Sequence, residues 1–282
     1  MDLKSFNKFS TEDAQKALLT CCTAQKWAKI VMKNFPFTSE KELVENAISC
    51  WYDECDSEDY REAFSHHPEI GDVNCLKEKF AGKEQSSIAD AGMKTIEALA
   101  QANSEYKSKF GFIFIVCATG KSAAEMLRLL QDRLKNNVEE ETAIAMGEQM
   151  KITIIRLKKL MSGAIWSCLK VSQLTTHVLD TSIGKPGKDI SIRLQKSEDK
   201  SWYTIVHGIT NADGRIEDLL PQNRILKPGN YNVSFDTASY FKSQNLTGFY
   251  PEVNIQFTIF DDAHYHIPLL INPFGYSTYR GN

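Results

Sequence analysis

The side chains best suited to acid–base chemistry in this chain are its six histidines. Two of them, His66 and His67, are adjacent, and Pro68 follows directly. Proline disfavours helical backbone at the residue before it, so a helix begun near Ser57 is expected to end here and to leave the imidazole of His67 at a helix mouth. Taken alone, the same pattern fits an ordinary exposed histidine pair.

Three separated segments of the second half carry further candidates. His177 lies in an alternating run, Arg215 follows the turn sequence Asn-Ala-Asp-Gly, and His264 and His266 are two residues apart. Alternate strand residues share a face, so the last pair could suggest a metal site. We expect no metal, because no third His, Cys or acidic ligand occurs at matching spacing. Taken alone, His177 could also be a core histidine whose hydrogen bonds are satisfied, and Arg215 could be an ordinary turn residue.

Composition divides the chain before any motif is considered. Its 282 residues suit two domains better than one. All seven cysteines precede residue 169, whereas six of the eight prolines follow residue 185. Without C-x-x-C spacing, the cysteines are interpreted as reduced thiols. A formal charge of −3 and the absence of a Lys/Arg block argue against a nucleic-acid partner. No apolar run is long enough for a membrane span, and we expect a soluble intracellular protein.

Periodicity predicts a helical domain over residues 1–160, a linker over 161–173 and a β domain over 174–282. The helical part has apolar spacings of three and four and start signals at Ser39 and Ser122. The stretch Phe110–Ala118 is apolar without a helical period, which indicates a buried extended segment whose backbone needs partners, one of which could be a ligand. Six alternating segments then predict an antiparallel sandwich: Leu174–Asp180, Asp189–Gln195, Trp202–Ile209, Tyr231–Asp236, Val253–Phe260 and Tyr265–Ile271.

Five ordered blocks in residues 5–160 resemble a known enzyme family. The matching segments are Phe64–Gly71, Glu84–Ser86, Phe110–Ala118, Gly120–Ser122 and Lys151–Leu157. Together they resemble the decarboxylases that act on 2-oxo-4-hydroxy-4-carboxy-5-ureidoimidazoline (OHCU). The resemblance implies a helical bundle and reverses the exposed-pair interpretation of His67. This sequence departs from many relatives at Ile113, Asp72 and Ser87, which bears on the shape of the pocket.

The OHCU resemblance also implies roles for particular residues. The substrate carries its carboxylate next to a C=N bond, which accepts the electrons released with carbon dioxide, so we expect no cofactor. His67 is then the general acid/base. The remaining residues implied in substrate binding are Pro68, Glu84, Gln85, Ser86, Val116, Cys117, Ala118 and Arg156, of which Arg156 could equally form a surface ion pair.

Residues 173–282 resemble a second family, the transthyretin-like 5-hydroxyisourate hydrolases. The resemblance rests on Leu174–Asp180, Thr210–Arg215, His264–Leu270 and the Tyr-Arg-Gly sequence at 279–281. It implies a β sandwich assembled as a homotetramer, with sites between subunits. His177 and His266 would deprotonate water, Arg215 would stabilise the oxyanion, and Ser277, Tyr279 and Arg280 would bind substrate. Asn282 stands where serine is usual.

The combined interpretation is a bifunctional enzyme of urate degradation. Its β domain would hydrolyse 5-hydroxyisourate to OHCU, and its helical domain would convert OHCU to (S)-allantoin and carbon dioxide. One alternative is a transthyretin-like binding or scaffold protein that has lost one or both activities, and another is that a single domain is active. We expect small-molecule partners and a cytoplasmic location, with the peroxisome as the alternative.

Overall fold

A computed structural model of the chain describes residues 1–67, 89–118, 121–161, 172–199, 201–216 and 219–281. The chain divides into two compact units, Met1–Trp166 and Ser167–Asn282. In the described residues the first unit is helical, and the second consists of two β-sheets and one short helix. The predicted class, an all-α part followed by an all-β part, is confirmed. None of the described helices combines the length and the apolar character needed to cross a bilayer.

The described part of the helical unit contains eight α-helices. A 3₁₀ turn at Met32–Asn34 follows the third helix, and a π-helical turn at Cys50–Glu54 follows the fourth. The helices are α1 (Leu3–Phe6), α2 (Thr11–Leu19), α3 (Gln25–Val31), α4 (Glu40–Ser49), α5 (Ser57–Ser65), α6 (Ala89–Phe110), α7 (Ala123–Arg133) and α8 (Val138–Met161).

Side-chain caps determine where several of these helices begin. Ser122 and Glu125 form the predicted capping box at α7, each side chain binding the backbone N–H of the other. Asp56 and Asp59 form a second box at α5. Ser39 accepts a hydrogen bond from the N–H three residues later and so starts α4 at the predicted place. These caps satisfy donors that no preceding helical turn could reach.

After Phe110, the apolar stretch through Ala118 forms neither helix nor strand and is buried over most of its length, as predicted for a non-helical buried segment. Phe110 ends α6, and no helix or strand follows before α7 among the described residues. Arg133 donates from Nη1 to the carbonyl of Ile115 at 2.7 Å, and Glu148 accepts the N–H of Cys117 at 2.7 Å. The unpaired backbone therefore finds its partners in side chains of α7 and α8.

Arg133 is held in place by a buried ion pair. Its Nη2 lies 2.5 Å from Oε1 of Glu141, and both side chains are at most 2% exposed. Tyr106 donates its hydroxyl to the same carboxylate, and Asn136 donates to Oε2 at 2.8 Å. Because the charges are paired and hydrogen-bonded, the desolvation cost of burying them is largely offset. The network joins α6, α7 and α8 beneath the buried segment that follows Phe110.

The β unit contains nine described strands in two sheets. One sheet has the path β2-β1-β8-β9, with β5 also paired to β1, and the other has the order β4-β3-β6-β7. A helix, α9 (Thr237–Ser243), follows β6. The strands are β1 (Leu174–Asp180), β2 (Lys185–Pro186), β3 (Ser191–Glu198), β4 (Ser201–Ile209), β5 (Arg215–Ile216), β6 (Gly229–Phe235), β7 (Val253–Ile259), β8 (Tyr265–Asn272) and β9 (Gly275–Thr278).

The two sheets share one apolar core, which confirms the predicted sandwich. Alternate residues of β1, such as Leu174 and Val178, are buried in that core together with Ile267 and Leu269 of β8. The sandwich departs from a fully antiparallel one, because β1 and β8 pair in parallel. Alternation along a strand reports which face is buried but not the direction of its neighbour.

The Arg133 network yields a test of what holds the helical unit together. Arg133→Met leaves Glu141 buried without its counter-charge, and we expect it to lower the free energy of unfolding by about 3–5 kcal/mol. Exposed Arg61 provides the matched control, because Arg61→Met should change stability by no more than about 0.5 kcal/mol. Urea unfolding followed by circular dichroism at the helical band measures both. Equal stability of the two variants would contradict the assignment.

Candidate active sites

The first candidate site lies where α5 ends. The helix stops at Ser65, and the N–H of His67 donates to the carbonyl of Phe64 at 3.2 Å. This is the helix end that the proline at position 68 predicted. His66 is exposed and lies with Nδ1 2.9 Å from the carbonyl of Glu62, whereas His67 is half-buried. The two adjacent histidines therefore occupy different environments.

His67 contacts a buried amide on α8. Its Nε2 lies 2.6 Å from Oε1 of Gln149. The Nε2 of Gln149 donates to Oγ1 of Thr153 at 3.2 Å, and the Thr153 hydroxyl donates to the main-chain carbonyl of Gln149. Since that hydroxyl proton is already used, the amide must turn its oxygen to the imidazole. Nε2 of His67 then carries the hydrogen, which leaves the lone pair on Nδ1.

The surroundings keep this imidazole neutral. Burial lowers the pKa of His67 below its ordinary value, and the positive charge of Arg156 lowers it further, against the opposing effect of the Gln149 hydrogen bond. A neutral histidine near pH 7 can accept a proton. The geometry thus provides a base with one defined acceptor nitrogen.

The remaining predicted residues of this site are only partly within the described chain. Arg156 lies on α8 seven residues after Gln149, on the same helix face, and donates to the carbonyl of Cys21 at 3.3 Å. Val116 and Cys117 are buried, and Ala118 is half-buried. The Cys117 amide is already bound to a carboxylate of α8. The residues that lie outside the described segments are Pro68, Glu84, Gln85 and Ser86.

The second candidate site lies on the outer face of the sheet that contains β1. His177 pairs in register with Arg215 of the neighbouring strand β5, which places the two side chains on the same face. A tight turn precedes Arg215: Gly214 has φ +68°, and a Cβ there would lie 2.4 Å from the carbonyl oxygen of Val178. Only glycine fits this turn, and it brings the exposed arginine beside the half-buried histidine.

A second histidine completes this site from the parallel neighbour β8. Nδ1 of His177 lies 2.7 Å from Nε2 of His266, a distance that requires one shared hydrogen. Burial lowers the pKa of His177, and the charge of Arg215 adds to that effect. Burial also lowers the pKa of His266, followed by the effects of His177 and Arg215. Both rings are therefore neutral near pH 7, and the pair can accept a proton.

The segment after β8 lies against this histidine pair. Gly281 donates its N–H to the carbonyl of His266 at 2.9 Å, and a Cβ at this glycine would lie 2.5 Å from Cδ2 of the imidazole. Arg280 places its guanidinium 5.0 Å from the ring centre of Tyr265. Tyr279 is exposed, and Ser277 lies on β9 opposite Leu270. The structure thus brings Gly281 against His266 and leaves the side chains of Ser277 and Tyr279 exposed.

Two residues that contact the predicted histidines were not predicted from the sequence. Gln149 is 1% exposed within α8, and Thr175 lies 2.8 Å from Nδ1 of His266 through its hydroxyl. A glutamine followed four residues later by a threonine in an apolar helix was the available signal for the first. Thr175 could have been found because it shares a strand face with His177.

Comparisons with known proteins match each of the two units to a known family. The family model described as OHCU decarboxylase matches residues 7–158, and the one described as HIUase/Transthyretin family matches residues 174–281. The uric acid degradation bifunctional protein TTL of Arabidopsis thaliana is 33% identical over 93% of this chain and 96% of its own length. The 5-hydroxyisourate hydrolase of Mus musculus is 43% identical over 39% of this chain and 96% of its own. That of Salmonella typhimurium is 42% identical over 39% of this chain and 80% of its own.

The two domain matches occur in one chain and in the same order as the two units. The Arabidopsis relative covers nearly the full length of both proteins, so the similarity extends through the helical and the β parts together. The chain therefore belongs to the OHCU decarboxylase family through its helical unit and to the HIUase/transthyretin family through its β unit, as a bifunctional enzyme of uric acid degradation.

Proposed function

We propose that the β unit hydrolyses 5-hydroxyisourate to OHCU through His177, and that the helical unit then decarboxylates OHCU to (S)-allantoin through His67. The observation that supports a catalytic role for each histidine is common to both sites. Each has a histidine whose pKa is lowered by burial and by a nearby arginine, and whose one nitrogen is fixed by a hydrogen bond. A neutral, oriented imidazole is what general acid–base catalysis requires.

In the helical unit, the proposed role of His67 is proton transfer at Nδ1. As the bond to the carboxylate breaks, carbon dioxide leaves, the two bonding electrons move into the adjacent C=N bond and its nitrogen takes a proton from solvent. Nδ1 of His67 accepts the proton of the substrate hydroxyl and returns it to the former C=N carbon from one face, so the hydroxyl becomes the product carbonyl. Arg156 would pair with the carboxylate or a ring oxygen. The Gln149 amide supports this role because it holds the ring in one tautomer. The residues at 68 and 84–86 remain predicted substrate contacts, and so do Val116–Ala118.

In the β unit, the proposed roles follow the register of β5, β1 and β8. His177, paired with His266, removes a proton from water, and the resulting hydroxide adds to the ring carbonyl of 5-hydroxyisourate. Arg215 lies beside His177 and would stabilise the oxyanion that forms. Ser277, Tyr279 and Arg280 would bind the substrate from the last segment. A scaffold protein that has lost catalysis is the competing proposal, and the oriented His177–His266 pair argues against it.

We also propose that the β unit mediates assembly into a homotetramer. Phe249 and Phe274 support an interface, because they are 70% and 78% exposed and the N–H of Phe249 donates to the carbonyl of Pro273, which brings their segments together. Large exposed apolar side chains mark interaction surfaces when they lie together. The location, cytoplasm with the peroxisome as the alternative, stays a prediction.

Separate substitution of the two histidines tests the division of labour. With fresh uricase product as substrate, His67→Ala should still consume 5-hydroxyisourate but accumulate OHCU, with decarboxylation slowed by about 10²–10⁴. His177→Ala should slow the first step and leave decarboxylation of supplied OHCU unchanged. Ultraviolet absorbance follows the substrates, and circular dichroism follows (S)-allantoin. If the wild-type chain accelerated neither step, the scaffold proposal would replace ours.

Gln149→Glu tests the base in the helical unit by its pH dependence. A carboxylate at this position stabilises the imidazolium, so the pKa of His67 should rise by about 1–3 units. The base form is lost as pH falls through that pKa, and the acidic limb of kcat/KM for decarboxylation should therefore move to higher pH. Exposed Gln131→Glu adds the same charge and should leave the limb in place. An unmoved limb in Gln149→Glu would exclude His67 as the titrating group.

Gly281→Ala tests the contact between the last segment and His266. The added methyl cannot fit 2.5 Å from the imidazole, so the ring must shift, and we expect kcat/KM of hydrolysis to fall about 10²-fold. Decarboxylation of supplied OHCU should be unaffected. Gly275→Ala is the matched control, since a Cβ there meets side-chain atoms no nearer than 3.6 Å. Equal hydrolysis by both variants would show that the segment does not position His266.

A further inference from the structure

The His177–His266 pair is one end of a longer hydrogen-bonded chain. Nδ1 of His266 lies 2.8 Å from Oγ1 of Thr175, and the same oxygen lies 2.9 Å from Nε2 of His264. Thr175 shares a face of β1 with His177, and His264 immediately precedes β8. The path thus runs from His177 through His266 and Thr175 to His264, which is exposed.

Each link in this chain can carry its hydrogen in either direction. A neutral imidazole has one donor and one acceptor nitrogen, and a hydroxyl donates one hydrogen while accepting another. In one arrangement His177 donates to His266, His266 to Thr175, and Thr175 to His264. The Nε2 atom of His177 then holds a lone pair. Because all three distances are within hydrogen-bond range, no side chain has to move for protons to transfer along the chain.

We propose that Thr175 and His264 complete a proton path that carries the proton removed from the attacking water out to solvent. This proposal rests on the proposed role of His177. When Nε2 of His177 takes that proton, its Nδ1 proton passes to Nε2 of His266. The Nδ1 proton of His266 passes to Thr175, and the Thr175 hydroxyl proton passes to Nε2 of His264. His264 then releases its Nδ1 proton to water, so charge and atoms balance and hydroxide is left for the carbonyl.

The charges around the path favour release of the proton to solvent over its retention on the inner imidazoles. Arg215 approaches His177 from β5, and its positive charge acts on both His177 and His266. Asp261, in the turn before β8, is engaged as the acceptor of the Tyr265 hydroxyl. The Arg215 charge disfavours a second positive charge on the inner imidazoles, whereas an exposed imidazole at the far end is hydrated. Thr175 and His264 are thus positioning residues that act through His177.

The test removes the path at two points in the full-length chain and adds an external proton carrier. Thr175→Val and His264→Gln should each lower kcat for 5-hydroxyisourate hydrolysis at least about tenfold, less than the 10²–10⁴ expected for loss of the base itself. KM should not change. Imidazole in the assay buffer should restore kcat in both variants, because it takes the proton directly, and Thr175→Ser should need no rescue since it retains the hydroxyl.

Controls separate this proposal from the one it rests on. Thr258→Val removes a threonine hydroxyl from the other sheet and should keep wild-type kcat. Circular dichroism in the β-sheet band reports whether the β unit of each variant is folded, and decarboxylase activity reports only on the helical unit. Wild-type kcat in His264→Gln, or a loss that imidazole does not restore, would overturn the proton path. Wild-type activity in His177→Ala would instead overturn the assigned base, whatever the other variants do.

Discussion

Polar groups that lie away from water need hydrogen-bond partners, and this constraint determines the geometry of both units. In the helical unit, no described strand pairs with the backbone near Ile115 and Cys117, and Arg133 and Glu148 bind it from two helices. Arg133 in turn requires the buried carboxylate of Glu141. The same demand orients the catalytic imidazoles, since one nitrogen of His67 is held by Gln149 and one nitrogen of His177 is held by His266. Packing supplies most of the stability, but these pairings select one arrangement.

Both sites use an arginine beside a histidine, and the pairing has two effects. A guanidinium attracts an anionic substrate or a developing oxyanion, and it also disfavours the protonated imidazole next to it. Burial is the main cause of the lowered pKa of all three histidines, and the charge of Arg156 adds to it at His67 while that of Arg215 adds to it at His177 and His266. A group that binds negative charge thus keeps the base unprotonated. Two unrelated folds reach the same electrostatic solution.

The sequence predicted local features well and long-range partners poorly. The end of α5 at Ser65 followed from a proline, and the bounds of β1 were predicted to the residue because alternation is strong there. The strands β2, β5 and β9 were missed, since two to four residues carry no periodicity. Gln149 was missed because its partner lies 82 residues away in the chain. His264 and His266 were considered together for a metal, whereas a threonine on another strand joins them.

The parallel pairing of β1 with β8 has a consequence for how hydrolase activity arises during folding. His177 and His266 are 89 residues apart in sequence, and their paired strands come from the beginning and the end of the sequence of the β unit. Contacts of such high sequence separation form slowly, because the intervening chain must first be ordered. A growing polypeptide can build the helical bundle from neighbouring segments well before β8 leaves the ribosome. Recovery of hydrolase activity is therefore a late reporter of refolding for the whole β unit.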